Sequence, residues 1–341
     1  MTGKVMRTCW VFDHPAHVRL LAPFLQAGQS DDVIIATQRK EVENLLKDGD
    51  GHLPRRQTHW VERPVGDNRR KKALGRWRSS HRFLRQCNQQ GNSIERIVSI
   101  GAPLELMAWR SPFLRRRLAS IVERWYISDT EVNHLAHRLA RKAVTDVVLP
   151  THWRSDLDGG FLEQLNGTRV HRLDGLHGHV HLRPSLRPAV VSDPPRVLVR
   201  RLVGGGIHDD EELVEIPDEV FDGLSTTLAD EDAYGGDAWA LDRELAAHDC
   251  VITQSVTLAS EAALLGTPTL LISKAERGFL DRLESAGYPL FRWKSTCEGD
   301  EWKDLQAQFL TGIHLTEILE PEPWPNARND LTNLFGMELI D

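Results

Sequence analysis

Residues 250–273 hold one complete strand–helix–strand unit, and that unit limits what the chain can fold into. Cys250-Val251-Ile252 is a short apolar run, Thr253-Gln254-Ser255-Val256 reads as a turn, and Thr257–Leu265 carries a helical pattern. Gly266-Thr267-Pro268 stops that helix, because glycine followed shortly by proline is a strong C-terminal signal. Thr269–Ser273 is the next strand. Strands joined through a helix lie parallel, and parallel sheets need helices on their faces. The first half repeats the alternation. Strands are predicted at Val5–Phe12, Val33–Ala36, Ile94–Ile100, Ile121–Ile127 and Val147–Leu149. Between them, Val18, Leu21, Ala22 and Leu25 mark a helix that Pro23 should kink or end early and Gly28 should stop; Glu41–Leu46 is a second helix. Val132, Leu135, Ala136, Leu139 and Ala143 mark one face of another. The fold class is α/β with parallel sheets.

At 341 residues the chain is too long for one ordinary core and suits two domains of roughly 150–200 residues each. Residues 183–195 contain Pro184, Pro188, Pro194 and Pro195 without periodicity. We read 1–183 as an N-terminal domain, 184–195 as a linker and 196–341 as a C-terminal domain, whose last helix is free to pack back on the first. Arg196–Leu202 restarts the strand pattern. The interval from Leu202 to Asp249 is acidic, poorly patterned and short for a full set of strand–helix pairs.

Charge is divided unevenly. Residues 1–150 carry 26 Lys and Arg against 15 Asp and Glu, a net of +11, and residues 151–341 carry a net of −18. Two basic segments, Arg69-Arg70-Lys71-Lys72 through Arg85 and Arg115-Arg116-Arg117 through Arg124, read as helices. They are either solvated faces or a surface for an anionic partner: acidic lipid headgroups, a lipid-phosphate acceptor or, last, nucleic acid, for which no recognition motif is present. No stretch reaches the ~18 apolar residues of a membrane helix. The N-terminal apolar run, broken by Arg7 and closed by Asp13, does not read as a signal peptide. Four scattered cysteines form no CxxC pair, so the expected compartment is a reducing cytosol, with the inner membrane face as a peripheral site.

Several residues can carry chemistry. Ser255 and Thr257 sit at a strand-to-helix turn, where free N–H groups and the helix dipole favour an anion such as a diphosphate. Glu261, one turn further on, can accept hydrogen bonds from vicinal hydroxyls; spacing alone equally fits a capped helix with a surface glutamate. Asp13, His14 and His17 follow the first strand, where open α/β sheets place ligands. A histidine there suits a general base, Asp13 can replace or orient it, and the same residues also suit a helix cap. Asp129 and Glu131 have the same ambiguity. His177, His179 and His181 alternate, which on a strand puts them on one face, but no acidic or cysteine partner has ligand spacing, so no metal is assigned. Gly204-Gly205-Gly206 lacks the order of a phosphate loop.

Ser255–Pro268, with Ala246–Ile252 before it, resembles the donor-nucleotide motif of GT-B glycosyltransferases and UDP-N-acetylglucosamine 2-epimerases. More narrowly, the chain resembles a prokaryotic family of uncharacterised proteins described as predicted glycosyltransferases of the GT-B type. Four blocks carry the resemblance: Trp10-Val11-Phe12-Asp13-His14-Pro15-Ala16-His17-Val18; Ser128-Asp129-Thr130-Glu131 with Val148-Leu149-Pro150; Arg172-Leu173-Asp174-Gly175; and Glu261-Ala262-Ala263-Leu264-Leu265-Gly266-Thr267-Pro268. The resemblance implies two Rossmann-like domains facing across a cleft, with the nucleotide-sugar on the second and the acceptor on the first. It implies Glu261 at the ribose, Ser255 and Thr257 near the diphosphate, and Arg200 as a diphosphate clamp. His17, Asp13, His14 and Glu131 are then the expected catalytic groups, and Gly101 and Asp129 the sugar or acceptor contacts. The implied activity is transfer of a sugar from a UDP-sugar to a glycan or lipid-linked acceptor, with no cofactor and no metal. A non-hydrolysing UDP-sugar 2-epimerase is the alternative, disfavoured because Val98-Ser99-Ile100-Gly101-Ala102 lacks the Gly-Asp-Thr expected there. A non-catalytic sugar-nucleotide-binding envelope protein is the third.

Overall fold

The computed structural model describes residues 6–47, 52–64, 66, 68–89, 93–182, 190–202, 213–229, 237, 239–314 and 324–339. The chain forms two compact units, Met1–His181 together with Asn326–Asp341, and Leu182–Pro325.

The first unit is built on seven parallel strands: β1 (Thr8–Phe12), β2 (Val33–Thr37), β3 (Gln57–Val61), β4 (Arg96–Ile100), β5 (Glu123–Ile127), β6 (Asp146–Leu149) and β7 (Arg169–Arg172). Their spatial order is β3-β2-β1-β4-β5-β6-β7. The order therefore reverses between β1 and β4, and the carboxyl ends of those two strands flank the switch point, where open α/β sheets bind ligands. The central strands are apolar because helices cover both of their faces; β1, β2 and β4 are buried at every position. The first helix, α1 (Pro15–Ala27), continues past Pro23 instead of ending there. Helices α2 (Lys40–Lys47) and α3 (Arg69–Gln89) follow. The second basic segment is not a helix through Arg124. It is a single turn, α4 (Pro112–Arg115), continued as a 3₁₀ turn at Arg116–Leu118, and β5 begins at Glu123 rather than Ile121. Beyond β5 lies the short helix α5 (His134–Ala140).

The histidine triplet also differs from its strand reading. It belongs to α6 (Gly178–His181) and the residue before it. Helical spacing puts His177 and His181 on one side, while His179 turns back so that its Nδ1 accepts the N–H of Leu176 at 2.9 Å.

The second unit carries five parallel strands, β8 (Arg196–Arg200), β9 (Ser225–Leu228), β10 (Cys250–Thr253), β11 (Thr269–Ile272) and β12 (Leu290–Trp293), in the order β12-β11-β10-β8-β9. Among the described residues its helices are α7 (Leu241–Ala247), α8 (Val256–Leu264), α9 (Gly278–Ser285) and α10 (Gly299–His314). The poorly patterned interval thus supplies an edge strand and a short helix among the described residues. The switch point lies between β8 and β10. Gly204-Gly205-Gly206 and residues 183–189 of the linker lie outside the described residues.

The C-terminal helix α11 (Ala327–Phe335) belongs to the first unit. Phe335 sets its ring edge-on to Trp10, Phe24 and Trp125 at centroid distances of 5.9, 5.2 and 5.3 Å, and its carbonyl accepts Arg96 Nη1 at 2.8 Å. Asp174, in the third resemblance block, ties this helix down: its N–H donates to Asp330 Oδ2 at 2.6 Å and its carboxylate accepts the N–H of Asn326 at 3.4 Å. Among the described residues no helix is long and apolar enough to cross a membrane.

Candidate functional site

At the switch point of the first sheet, the chain leaves β1 through Asp13 and enters α1 at Pro15. His14 is the N-cap, extended at φ −139° and ψ 150°, and its Nδ1 accepts the N–H of Ala16 at 3.3 Å. His14 is therefore engaged as a cap, and burial together with the neighbouring His17 and Arg39 keeps its pKa well below the ordinary histidine value. His17 is the third residue of α1 and is buried. Its Nε2 stands 3.8 Å from Asp129 Oδ2, and its Nδ1 has no hydrogen-bond partner among the described residues.

Asp129 arrives from the end of β5. Burial would raise its carboxyl, but the nearby imidazole of His17 and the charge of His177 outweigh it and hold the group well below the usual carboxylate range. His177 is pushed the other way, down to about 4, chiefly by burial and despite Asp129. Gly101, at the end of β4, completes the edge. Its φ of +56° is left-handed, and a Cβ there would stand 3.5 Å from Asp129 Oδ1 and 3.9 Å from His17 Cε1. Glycine thus satisfies the backbone and leaves space between the histidine and the aspartate.

Asp13 is bound into a buried network that the sequence did not reveal. Arg76 of α3 is 3 % exposed. Its Nε and Nη2 donate to the two carboxylate oxygens of the buried Glu105 at 2.8 and 3.2 Å, and its Nη1 donates to Asp13 Oδ1 at 2.5 Å and Thr37 Oγ1 at 3.0 Å. Thr37 Oγ1 donates in turn to Asp13, and Ser80 Oγ donates to Glu105 at 3.2 Å. Burial would raise the Asp13 carboxyl, but the charge of Arg76 and the bonds from Thr37 and Arg76 drive it well below the usual range. An aspartate so held does not take up a proton near neutral pH; it fixes the loop that carries His14 and His17. Helical spacing carried the missed signal, since Arg76 falls in register with the buried Ser80, Phe83, Leu84 and Cys87 of α3.

Glu131 is buried, and its Oε1 accepts the N–H of Arg154 at 3.1 Å. Beside it, Ser128 Oγ lies 2.8 Å from His137 Nε2, and His137 stacks on Phe161 at 4.2 Å. Burial lowers the His137 pKa to about 4.

In the second unit, sheet register brings Arg200 beside Thr253, two residues before Ser255 and far from it in sequence. The Arg200 carbonyl accepts the N–H of Gln254 at 3.2 Å and Thr253 Oγ1 at 3.0 Å. Gln254, which the sequence reading left in an anonymous turn, locks the edge: its Oε1 accepts the N–H of Leu202 at 2.8 Å and its Nε2 donates to the Val214 carbonyl at 2.7 Å. Ser255 is the N-cap of α8; its Oγ accepts the N–H of Leu258 at 3.4 Å and its own N–H donates to Thr253 Oγ1 at 2.9 Å. Thr257 lies in the first turn. Glu261, read from spacing as either a diol acceptor or a surface residue, is not at the surface; it is 2 % exposed. Among the described residues no group of three or more His, Cys, Asp or Glu is placed to hold a metal ion.

No protein-family model matches the chain, and no curated protein matches it in sequence. Solved structures match it in fold. S. aureus MnaA in a co-structure with UDP aligns over 96 % of this chain and 95 % of its own, with a TM-score of 0.61 at 10 % identity. The UDP-GlcNAc 2-epimerase of Neisseria meningitidis bound to UDP-GlcNAc covers 96 % and 99 %, with a TM-score of 0.58 at 12 % identity. MurG of Acinetobacter baumannii also covers 96 % and 99 %, with a TM-score of 0.51 at 14 % identity. The chain therefore has the pair of parallel-sheet α/β units found in GT-B proteins, among both epimerases and glycosyltransferases.

Proposed function

We propose that the protein is a glycosyltransferase that moves a sugar from a UDP-linked donor to a hydroxyl of a glycan or lipid-linked acceptor. The observation that carries this is the His17–Asp129 pair at the switch point of the first sheet, 3.8 Å apart. The acceptor oxygen attacks the anomeric carbon, and the bond from that carbon to the diphosphate oxygen breaks with its electrons leaving on UDP. The acceptor proton passes to the His17 imidazole, which acts as general base. Asp129, held ionised, stabilises the imidazolium. Asp13 and His14 act as positioning residues for the loop, and Glu131 for the chain at Arg154. Gly101 and Asp129 contact the sugar or acceptor.

In the second unit, the N-terminus of α8 with Ser255 and Thr257, and the guanidinium of Arg200, receive the diphosphate and stabilise its leaving charge. Glu261 accepts the ribose hydroxyls. Such a site needs no metal and no cofactor. Replacing His17 by alanine should lower turnover of the UDP-sugar about 10²–10⁴-fold while UDP affinity, measured by calorimetry, stays unchanged. Full activity in that variant would discard the assignment.

The fold likeness to 2-epimerases supports a second reading, in which His17 and Asp129 serve proton transfer at C2 of the sugar. Conversion of UDP-GlcNAc to UDP-ManNAc without any acceptor would select it.

A further inference from the structure

Tertiary structure converts the two basic segments into one surface. Helix α3 buries Arg76, Ser80, Phe83, Leu84 and Cys87 and leaves Leu74, Arg78, Arg82 and Arg85 on its outer side. The turn at Pro112–Leu118 lies against this helix. His81 on the helix agrees with that contact: burial lowers its pKa, and the charges of Arg117 from the turn and Arg85 from the helix lower it further. Residues 69–89 and 106–122 contain no Asp or Glu at all. Arg78, Arg82, Arg85, Arg115, Arg116 and Arg117 are exposed, and none is paired with a carboxylate among the described residues. An ordinary solvated helix mixes its charges, as α10 does with Asp300, Glu301, Lys303 and Asp304.

The surface also carries an apolar point. Phe113 is 64 % exposed, and Arg117 lies over its ring at 4.7 Å. Leu74 is 43 % exposed beside the arginine stripe. An unpaired cationic field gains by meeting a dense anionic surface, and an exposed aromatic ring inside that field gains only if the surface offers an apolar layer beneath its charges. Duplex nucleic acid keeps its base faces stacked out of reach of such a ring, and a single strand is held by a row of stacking aromatics, whereas Phe113 is the only aromatic exposed on this face among the described residues; an anionic bilayer supplies both the charges and the apolar layer.

We infer that this face of the first unit docks on an anionic lipid bilayer, with the arginines at the headgroups and Phe113 inserted at the headgroup–acyl boundary. The inference rests on the surface itself and not on the proposed donor or reaction.

Vesicle co-flotation of the full chain tests it. The expected result is binding to vesicles that are one-third phosphatidylglycerol, none to pure phosphatidylcholine, and loss of binding as salt shortens the Debye length from about 30 Å to about 3 Å. The variant R115E/R116E/R117E should bind about 100-fold more weakly or worse, with each arginine near such a surface contributing about five-fold. Phe113→Ser should weaken binding without changing its salt dependence. Thermal melting of both variants should match the parent, since all four positions are exposed. Failure to float with the anionic vesicles at low salt would overturn the inference, as would unchanged binding of the triple variant. Displacement from the vesicles by an equal charge concentration of duplex DNA would overturn it in favour of a nucleic-acid surface.

Discussion

The two switch points are built from different materials. In the first sheet the edge between β1 and β4 is crowded with charge: Asp13, Arg76 and Glu105 form one hydrogen-bonded chain, and Asp129 and His177 shift each other's protonation beside His17. In the second sheet the edge between β8 and β10 is mostly backbone. It is held by Gln254, the Arg200 carbonyl and the cap at Ser255. The difference fits the two tasks proposed for these edges. Moving a proton needs titratable groups with environments that push them apart, whereas holding a diphosphate needs only oriented N–H groups and a cation.

The sharpest break in that comparison is Arg76→Met. It leaves Glu105 buried without its counter-charge and should cost about 3–5 kcal/mol in urea unfolding. Adding Glu105→Leu should recover much of the loss. A cost below about 1 kcal/mol would mean that the network contributes little to holding the first edge.

Acid should separate the units next. His137 and His177 are kept neutral in the fold, with pKa values near 4 against about 6.5 when unfolded. Between those values the unfolded chain binds more protons, so their contribution is present above pH ~6.5 and is lost as pH falls toward ~4. His137 alone accounts for up to roughly 3 kcal/mol. In the second unit, burial opposes but hydrogen bonds from Arg196 and Ser192 lower the Asp249 pKa, and that contribution persists until pH drops below about 4. Hydrogen exchange followed by peptide should show the first unit opening at a higher pH than the second. Simultaneous opening would contradict the contrast, and His137→Gln should narrow it.

The smallest effect sharpens the second edge. Glu261→Ala should weaken UDP binding by about 1–3 kcal/mol. Unchanged affinity would remove Glu261 from the ribose and leave it as a carboxylate of the interior.

Legibility followed burial. The eight strands that the sequence announces are β1, β2, β4, β5, β6, β8, β10 and β11, and every one lies inside its sheet. The four it does not announce, β3, β7, β9 and β12, are the four edges. A strand covered on both faces needs an apolar run along its middle, so it stands out in one dimension; an edge strand such as Arg169–Arg172 or Ser225–Leu228 is largely exposed and carries ordinary polar residues. The α8 turn was legible for a similar reason, because a cap, a helix and its glycine stop are contiguous.

The sequence by itself determined the parallel α/β class, the interior strands and the loops at which chemistry can sit, since each follows from local burial and backbone rules. Only the tertiary structure decided that His17 meets Asp129, that Arg200 stands beside Thr253, that Arg76 turns inward to Asp13 and Glu105, and that two basic segments share one surface. Those pairings join residues from different strands and helices, and a charge's role depends on which partner the fold brings within a few ångströms, a fact that no local pattern encodes.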